Sequence, residues 1–308
     1  MDWVTHMAFL EILLPIFGIF GIGYVGQKTI GFDTKTLSTM ALYLMTPFLA
    51  FHTFYESKFN VTYGYLLIYT IVLCFSLIGI VHIVSAIRGF SKKETCGMIL
   101  ASAFMNNGNY GTPLVLFVFG KEGLHYAIIL MVIQSLLMCT VGIYYAAKGS
   151  PNNDGLKASL GAVLRMPIAY GALAGALFQW FHIEVNHTIM DAVAMVGDAA
   201  IPTIMIVLGM QLANISIKKL AIHKISLSLV IKLLLSPAIA LLLAFILPID
   251  DLLQKIMILM AAMPTAANTT MYALQYQTEP EFVSSATLVS TVLSLVTLPL
   301  VLIGIQFI

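Results

Sequence analysis

The chain has 308 residues, 60% of them hydrophobic and 9% charged, with a formal net charge of +1. Soluble globular domains carry roughly 25% charged residues, so the composition excludes an ordinary soluble enzyme or binding module, and the neutral balance implies no nucleic-acid partner. Cys74, Cys96 and Cys139 stand apart in apolar segments, which argues for small packing residues and against a disulfide framework or a metal site.

A membrane-crossing helix needs about 20 mostly apolar residues. Ten such stretches are expected, at residues 7–26, 36–55, 62–87, 94–119, 122–147, 159–181, 188–212, 225–247, 252–277 and 282–306. The first follows "MDWVTHMAFLE", which lacks a basic n-region and therefore reads as the start of a retained span. Connections are short except for the polar linker at 148–158, which separates a first half, 1–147, from a second, 159–308. The expected class is an all-α integral membrane protein. Eleven Lys and Arg residues fall on the side reached after odd-numbered spans, against Lys58, Lys121 and Lys255 on the other. By the positive-inside rule the linker is cytoplasmic and both termini lie outside. The expected location is a plasma membrane, the inner membrane of a bacterium.

Span 2 carries Thr46 and Pro47, where a proline frees one carbonyl and either shapes a cavity wall or bends the helix. Span 4 is interrupted by "NNGNYGTP", residues 106–113, too rich in Asn, Gly and Pro to continue one helix comfortably. Span 5 holds Gln134, a substrate contact or interhelical glue. In span 7 Asp198 precedes Pro202 and Thr203; it is a candidate to carry a coupling proton, the alternative being a carboxylate facing water near the outer mouth. Lys232 in span 8 is a candidate counter-ion, with snorkelling to the interface the preferred reading. Span 9 is interrupted by "PTAAN", residues 264–268. His182 and His187 share a loop that offers too few ligands for a metal.

The two interruptions are related. Shifted by 159 positions without a gap, Met98, Ile99 and Leu100 match Met257, Ile258 and Leu259, and Asn109 matches Asn268. If the unit is five spans, its odd number turns the second copy upside down, and inverted repeats with broken helices mark secondary transporters. Irregular backbone at membrane depth is tolerated only where protein, water or ligand meets its polar groups, so both breaks should line one cavity. Each is followed by a helix start whose free N–H groups carry about half a positive charge, and two such starts favour an anion. Asn106, Asn107, Asn109, Asn268, Thr269 and Thr270 add side-chain donors. Gly108 and Gly111 are expected to bring the backbone close and to adopt positive φ, and Pro113 has no N–H to leave orphaned. Pro264 and Thr265 complete the second break. A packing kink without a ligand is the alternative.

These residues, "NNGNYGTP" and "PTAAN", with ten spans and a central linker, resemble the auxin efflux carrier family over essentially the whole chain. That family includes plant carriers and bacterial permeases of the malate and malonate type. Plant members have Asn-Pro-Asn at the crossover; this chain has "NGN" at 107–109 and "AAN" at 266–268, and its linker is short. The resemblance implies two inverted five-helix repeats with broken helices 4 and 9 crossing at the substrate site, as in sodium/bile-acid symporters and sodium/proton antiporters. It also implies a scaffold of helices 1, 2, 6 and 7, a transport domain of helices 3–5 and 8–10, and a homodimer through the scaffold as a candidate assembly.

The expected function is a secondary transporter moving a small mono- or dicarboxylate by alternating access, without cofactor, with proton coupling through Asp198 as a candidate drive. No phosphate-binding G-x-x-x-x-G-K-[ST] loop is present. An anion channel on the same crossover is the alternative. An intramembrane enzyme is disfavoured, because Met195 stands where the G-x-G-D pattern needs glycine before Asp198.

Overall fold

A computed structural model describes residues 3–57, 60–150, 161, 165–214 and 222–308, with side chains from residue 14 onward. The described residues are helical throughout, apart from short connections and one isolated antiparallel bridge. Most of the expected linker and the start of the sixth expected span lie outside the described residues.

The helices are α1 (Trp3–Ile30), α2 (Thr34–Thr39), α3 (Thr46–Tyr55), α4 (Val61–Arg88), α5 (Lys92–Ser102), α6 (Thr112–Leu137), α7 (Ile143–Lys148), α8 (Pro167–Trp180), α9 (His187–Asn214), α10 (Ile222–Leu229), α11 (Ser236–Ile246), α12 (Asp251–Ala261), α13 (Ala267–Tyr276) and α14 (Pro280–Gly304). Among the described residues, six stretches are long and apolar enough to cross a membrane, against ten expected. Two physical reasons account for much of the difference. α5 and α12 have 11 residues each and α13 has 10, so the fourth and ninth expected spans come as short halves. The fourth and fifth run together from Asn107 to Lys148, parted by Gly120, whose φ of 67° and ψ of −160° break the helix between them.

Three wider, π-helical turns interrupt the ladder at Met40–Met45, Asn107–Gly111 and Val230–Leu235. Each runs into a hydroxyl residue followed by proline: Thr46–Pro47, Thr112–Pro113 and Ser236–Pro237. Proline has no N–H for the carbonyl four residues back, and the ladder slips by one. Accordingly the Thr46 amide donates to Ala41 O and the Ser236 amide to Ile231 O, five residues back in each case. A fourth such turn, Met138–Gly142, has no proline.

The chain divides into two compact units. The first comprises residues 1–60, 108–132 and 166–214. Its helices approach until glycines touch the neighbouring backbone. A Cβ at Gly23 of α1 would strike Ile206 O, and one at Gly209 of α9 would strike Phe20 O. Gly171 and Gly175 of α8 lie in the same way against Pro47 O and Phe51 O of α3. Small residues that let backbones meet are the usual packing device where lipid supplies no hydrophobic drive. Tyr110, fully buried, sets its ring edge-on to Phe20 with centroids 5.2 Å apart.

The second unit comprises residues 61–107, 133–165 and 215–308. α5 opens with a capping box, in which the Ser91 amide donates to Glu94 at 2.7 Å and the Glu94 amide donates to Ser91 Oγ at 3.3 Å. Lys224 joins Glu94 at 2.6 Å and Glu279 at 3.6 Å, tying α10 to the start of α5 and to the turn before α14. The Thr278 hydroxyl donates to Ala146 O at 2.6 Å.

Candidate functional site

The second interruption and the start of the first, Asn106 and Asn107, fall in the second unit, and there the two broken stretches meet. α5 stops at Ser102 and α12 at Ala261; beyond them Met105 and Thr265 form an antiparallel bridge. The Asn106 amide donates to Pro264 O at 2.9 Å, and the Ala266 amide donates to Phe104 O at 3.1 Å. A shift of 160 positions turns the first of these bonds into the second, since 104 becomes 264 and 106 becomes 266. The bridge is therefore a two-fold exchange between repeats. Its register differs by one residue from the 159 that aligns α5 with α12, and the extra residue is absorbed between Ala261 and Pro264.

The side chains of the breaks are buried. Thr265, 1% exposed, donates its hydroxyl to Ala101 O at 2.7 Å and its amide to Ser290 Oγ at 3.1 Å. The Thr269 hydroxyl returns to Ala266 O at 2.8 Å, and Thr270 Oγ1 lies 3.2 Å from Thr287 Oγ1. Asn106 and Gln134 are 4% and 2% exposed, and their amide nitrogens meet no hydrogen-bond acceptor among the described residues. The hydroxyl of Ser102 is in the same condition. Asn107 is buried, while Asn268 is half-buried.

Helices restart two residues after each side of the bridge, at Asn107 and at Ala267. α13 begins after Ala266, which has no side chain able to cap it. The Thr269 amide donates to Ala266 O at 3.2 Å, and the first two residues of the helix, Ala267 and Asn268, are half-buried, so this start turns an uncapped helix end, which favours an anion, to a partly open place. The donors here that meet no acceptor among the described residues are the amides of Asn106 and Gln134 and the hydroxyl of Ser102, beside an uncapped helix start. Among the described residues, no acidic side chain forms part of either break.

Several expectations need correction. Helical turns resume at Asn107, so the first break spans 103–106 rather than 106–113. Gly108 and Gly111 lie inside the π-helical turn, and neither is among the positive-φ glycines, which are Gly31, Gly89 and Gly120. A Cβ at Gly108 would meet Met131 Sδ at 3.4 Å, an ordinary van der Waals contact. Lys232 does not snorkel. It is wholly buried and donates to Ala261 O at 3.3 Å, beside the Ser236 hydroxyl, which donates to the same oxygen at 2.8 Å.

Gly108, Asn109, Gly111 and Pro113, with Thr46, Pro47, Asp198, Pro202 and Thr203, fall in the first unit. Asn109 and Pro113 are buried there. Thr46 and Thr203 donate their hydroxyls to Leu42 O and Ala199 O of their own helices, at 2.8 and 2.7 Å. Asp198 and Pro202 are exposed.

One feature escaped the sequence reading. α14 presents Thr287, Ser290, Thr291 and Ser294, all buried and spaced to fall on one face. Each donates to a carbonyl three or four residues back, and the Ser290 oxygen in addition accepts the Thr265 amide. Hydroxyl residues at helical spacing in an apolar span were the available signal.

Comparison with known proteins agrees with a transport role. The family described as membrane transport protein matches residues 8–160 and again residues 155–302. An uncharacterized transporter of Methanothermobacter thermautotrophicus is 28% identical over 305 residues, covering 96% of this chain and 98% of its own. An uncharacterized transporter of Methanocaldococcus jannaschii is 25% identical over 305 residues, covering 94% and 97%.

Proposed function

The chain belongs to the auxin efflux carrier family of membrane transport proteins, and from that premise we propose that it carries a small organic anion, a mono- or dicarboxylate of the malate or malonate kind. It is a multi-pass membrane transporter and not an enzyme. The observation that carries the proposal is the bridge of Met105 and Thr265, where two half-helices break at the same place and α13 restarts without a side-chain cap. Asn106 and Gln134 hold buried amide N–H groups that a carboxylate oxygen would accept. The Asn109 and Asn268 side chains are proposed as further substrate contacts, each within its own unit.

Ten spans in two inverted repeats fit the paired half-helices α5 and α12 and the two-fold exchange at the bridge. In this reading α1, α3, α8 and α9 belong to the scaffold, and transport proceeds by alternating access. Proton coupling through Asp198 and assembly as a homodimer belong to the same proposal, as does a plasma-membrane location with both termini outside. The direct test is uptake of labelled malate, malonate and citrate into proteoliposomes, with and without a proton gradient, for wild type, Asn109→Ala and Asn268→Ala. Saturable uptake of one acid, lost in both variants, is the expected result. Uptake untouched by either variant would overturn the site, and flux that rises linearly with concentration would indicate a channel.

A further inference from the structure

α5 and α12 each end just before the bridge, and near those ends lie the carbonyls of Ala101, the last residue but one of α5, and Ala261, the last of α12. The C-terminal end of a helix carries about half a negative charge, and a carbonyl left unmet at membrane depth costs several kcal/mol. The two ends are met differently. Ala101 O accepts the neutral hydroxyl of Thr265. Ala261 O accepts the Ser236 hydroxyl and, in addition, the Lys232 amine.

The lysine has little else near it to balance a charge. It is wholly buried, and no carboxylate lies within ion-pair distance of it among the described residues. Cys74 of α4 is the titratable group that faces it. Burying an unpaired cation is expensive, and a methionine would fill the same volume without that cost. Carriers built from inverted repeats use the C-terminal ends of broken half-helices to coordinate coupling cations. Here an amine is tethered at such an end, three residues before the Pro264 carbonyl of the bridge.

We propose that Lys232 is a resident cation: its ammonium holds the end of α12 in the place a co-transported metal ion would take, and it balances the charge of the carboxylate bound at the break. The carrier then moves its anion without sodium. This rests on the anion-carrier reading above, and the experiment has two arms that fail separately.

In the first arm, full-length protein in proteoliposomes is assayed for uptake of labelled malate, malonate and citrate in sodium and in choline medium. Wild type, Lys232→Gln and Lys232→Arg are compared, each first checked for monodispersity. Wild type takes up its acid equally in both media. Lys232→Gln raises KM by about tenfold or more, the loss of one charge-assisted interaction, whereas Lys232→Arg keeps most of the uptake. Sodium-dependent uptake by wild type, or a wild-type KM for Lys232→Gln in choline, overturns the proposal. Absence of flux for every acid strikes the anion-carrier reading instead.

The second arm needs no substrate. The melting temperature of detergent-purified wild type and Lys232→Ser is read in sodium and in choline. Wild type is indifferent, while Lys232→Ser, with Ala261 O opened to a metal ion, is stabilised by sodium. A sodium shift in wild type, or none in a folded Lys232→Ser, overturns the resident-cation role whatever the carrier moves. Should Lys232→Ser not fold, the sodium response of wild type and of Lys232→Arg decides alone.

Discussion

The Thr265 hydroxyl donates to Ala101 O at 2.7 Å, so that the break in one repeat caps the half-helix of the other. Valine has the shape of threonine and no donor. Thr265→Val leaves a buried carbonyl unmet and is expected to destabilise by about 1–3 kcal/mol, while Thr265→Ser stays near wild type. Unfolding in a denaturant series in detergent checks both.

Gly120 sits at φ 67° and ψ −160° with no atom within 4 Å of where a Cβ would stand. That region is essentially reserved for glycine and costs other residues about 1–3 kcal/mol. Gly120→Ala should therefore lower the melting temperature through backbone strain alone. A variant as stable as wild type would show that the turn between the fourth and fifth spans has another conformation.

Gly209 tests the close approach of α1 and α9. Its missing Cβ leaves room for Phe20 O, a backbone atom that cannot swing aside. Gly209→Ala should cost about 1–3 kcal/mol as an overpacked contact. Gly18→Ala, whose Cβ would meet nothing within 4 Å, is the control and should be neutral or slightly stabilising.

Asn106 turns an amide towards the break. Asn106→Asp replaces that donor with an acid and should raise KM for an organic anion by about tenfold or more, beyond Asn106→Ala, because a like charge adds repulsion to the lost bond. The Asn106 backbone bond to Pro264 O does not depend on the side chain, so both variants should fold. Concentration-dependent uptake separates them.

The pair Lys224–Glu94, at 2.6 Å, is partly open to solvent. Lys224→Met should cost less than about 1 kcal/mol, and the difference from wild type should shrink in molar salt, where charges are screened. Melting curves at low and high salt check this.

The breaks were legible because Asn, Gly and Pro in an apolar span have a backbone cost that only a special place can justify. Their register was not. Identities align α5 with α12 at 159, whereas the bridge pairs the repeats at 160, and a single slipped residue leaves no mark in composition. The positive φ expected of Gly108 and Gly111 is not found, because glycine permits that conformation without requiring it and the chain there takes a π-helical turn. Lys232 was misplaced because its acceptor, Ala261 O, is a backbone atom 29 residues away, which no side-chain pattern reveals. The hydroxyl face of α14 was visible as spacing, but its importance follows only from Ser290 receiving the Thr265 amide.

The length of the half-helices has an electrical consequence. Eleven residues at 1.5 Å each reach about 16 Å, roughly half of the ~30 Å hydrocarbon thickness. A charge arriving at the bridge of Met105 and Thr265 has thus crossed about half of the transmembrane voltage. One elementary charge gains about 2.3 kcal/mol per 100 mV over the full field, so an anion captured there feels about 1.1 kcal/mol of it. Occupancy of the bridge should therefore follow membrane potential even when no second ion moves.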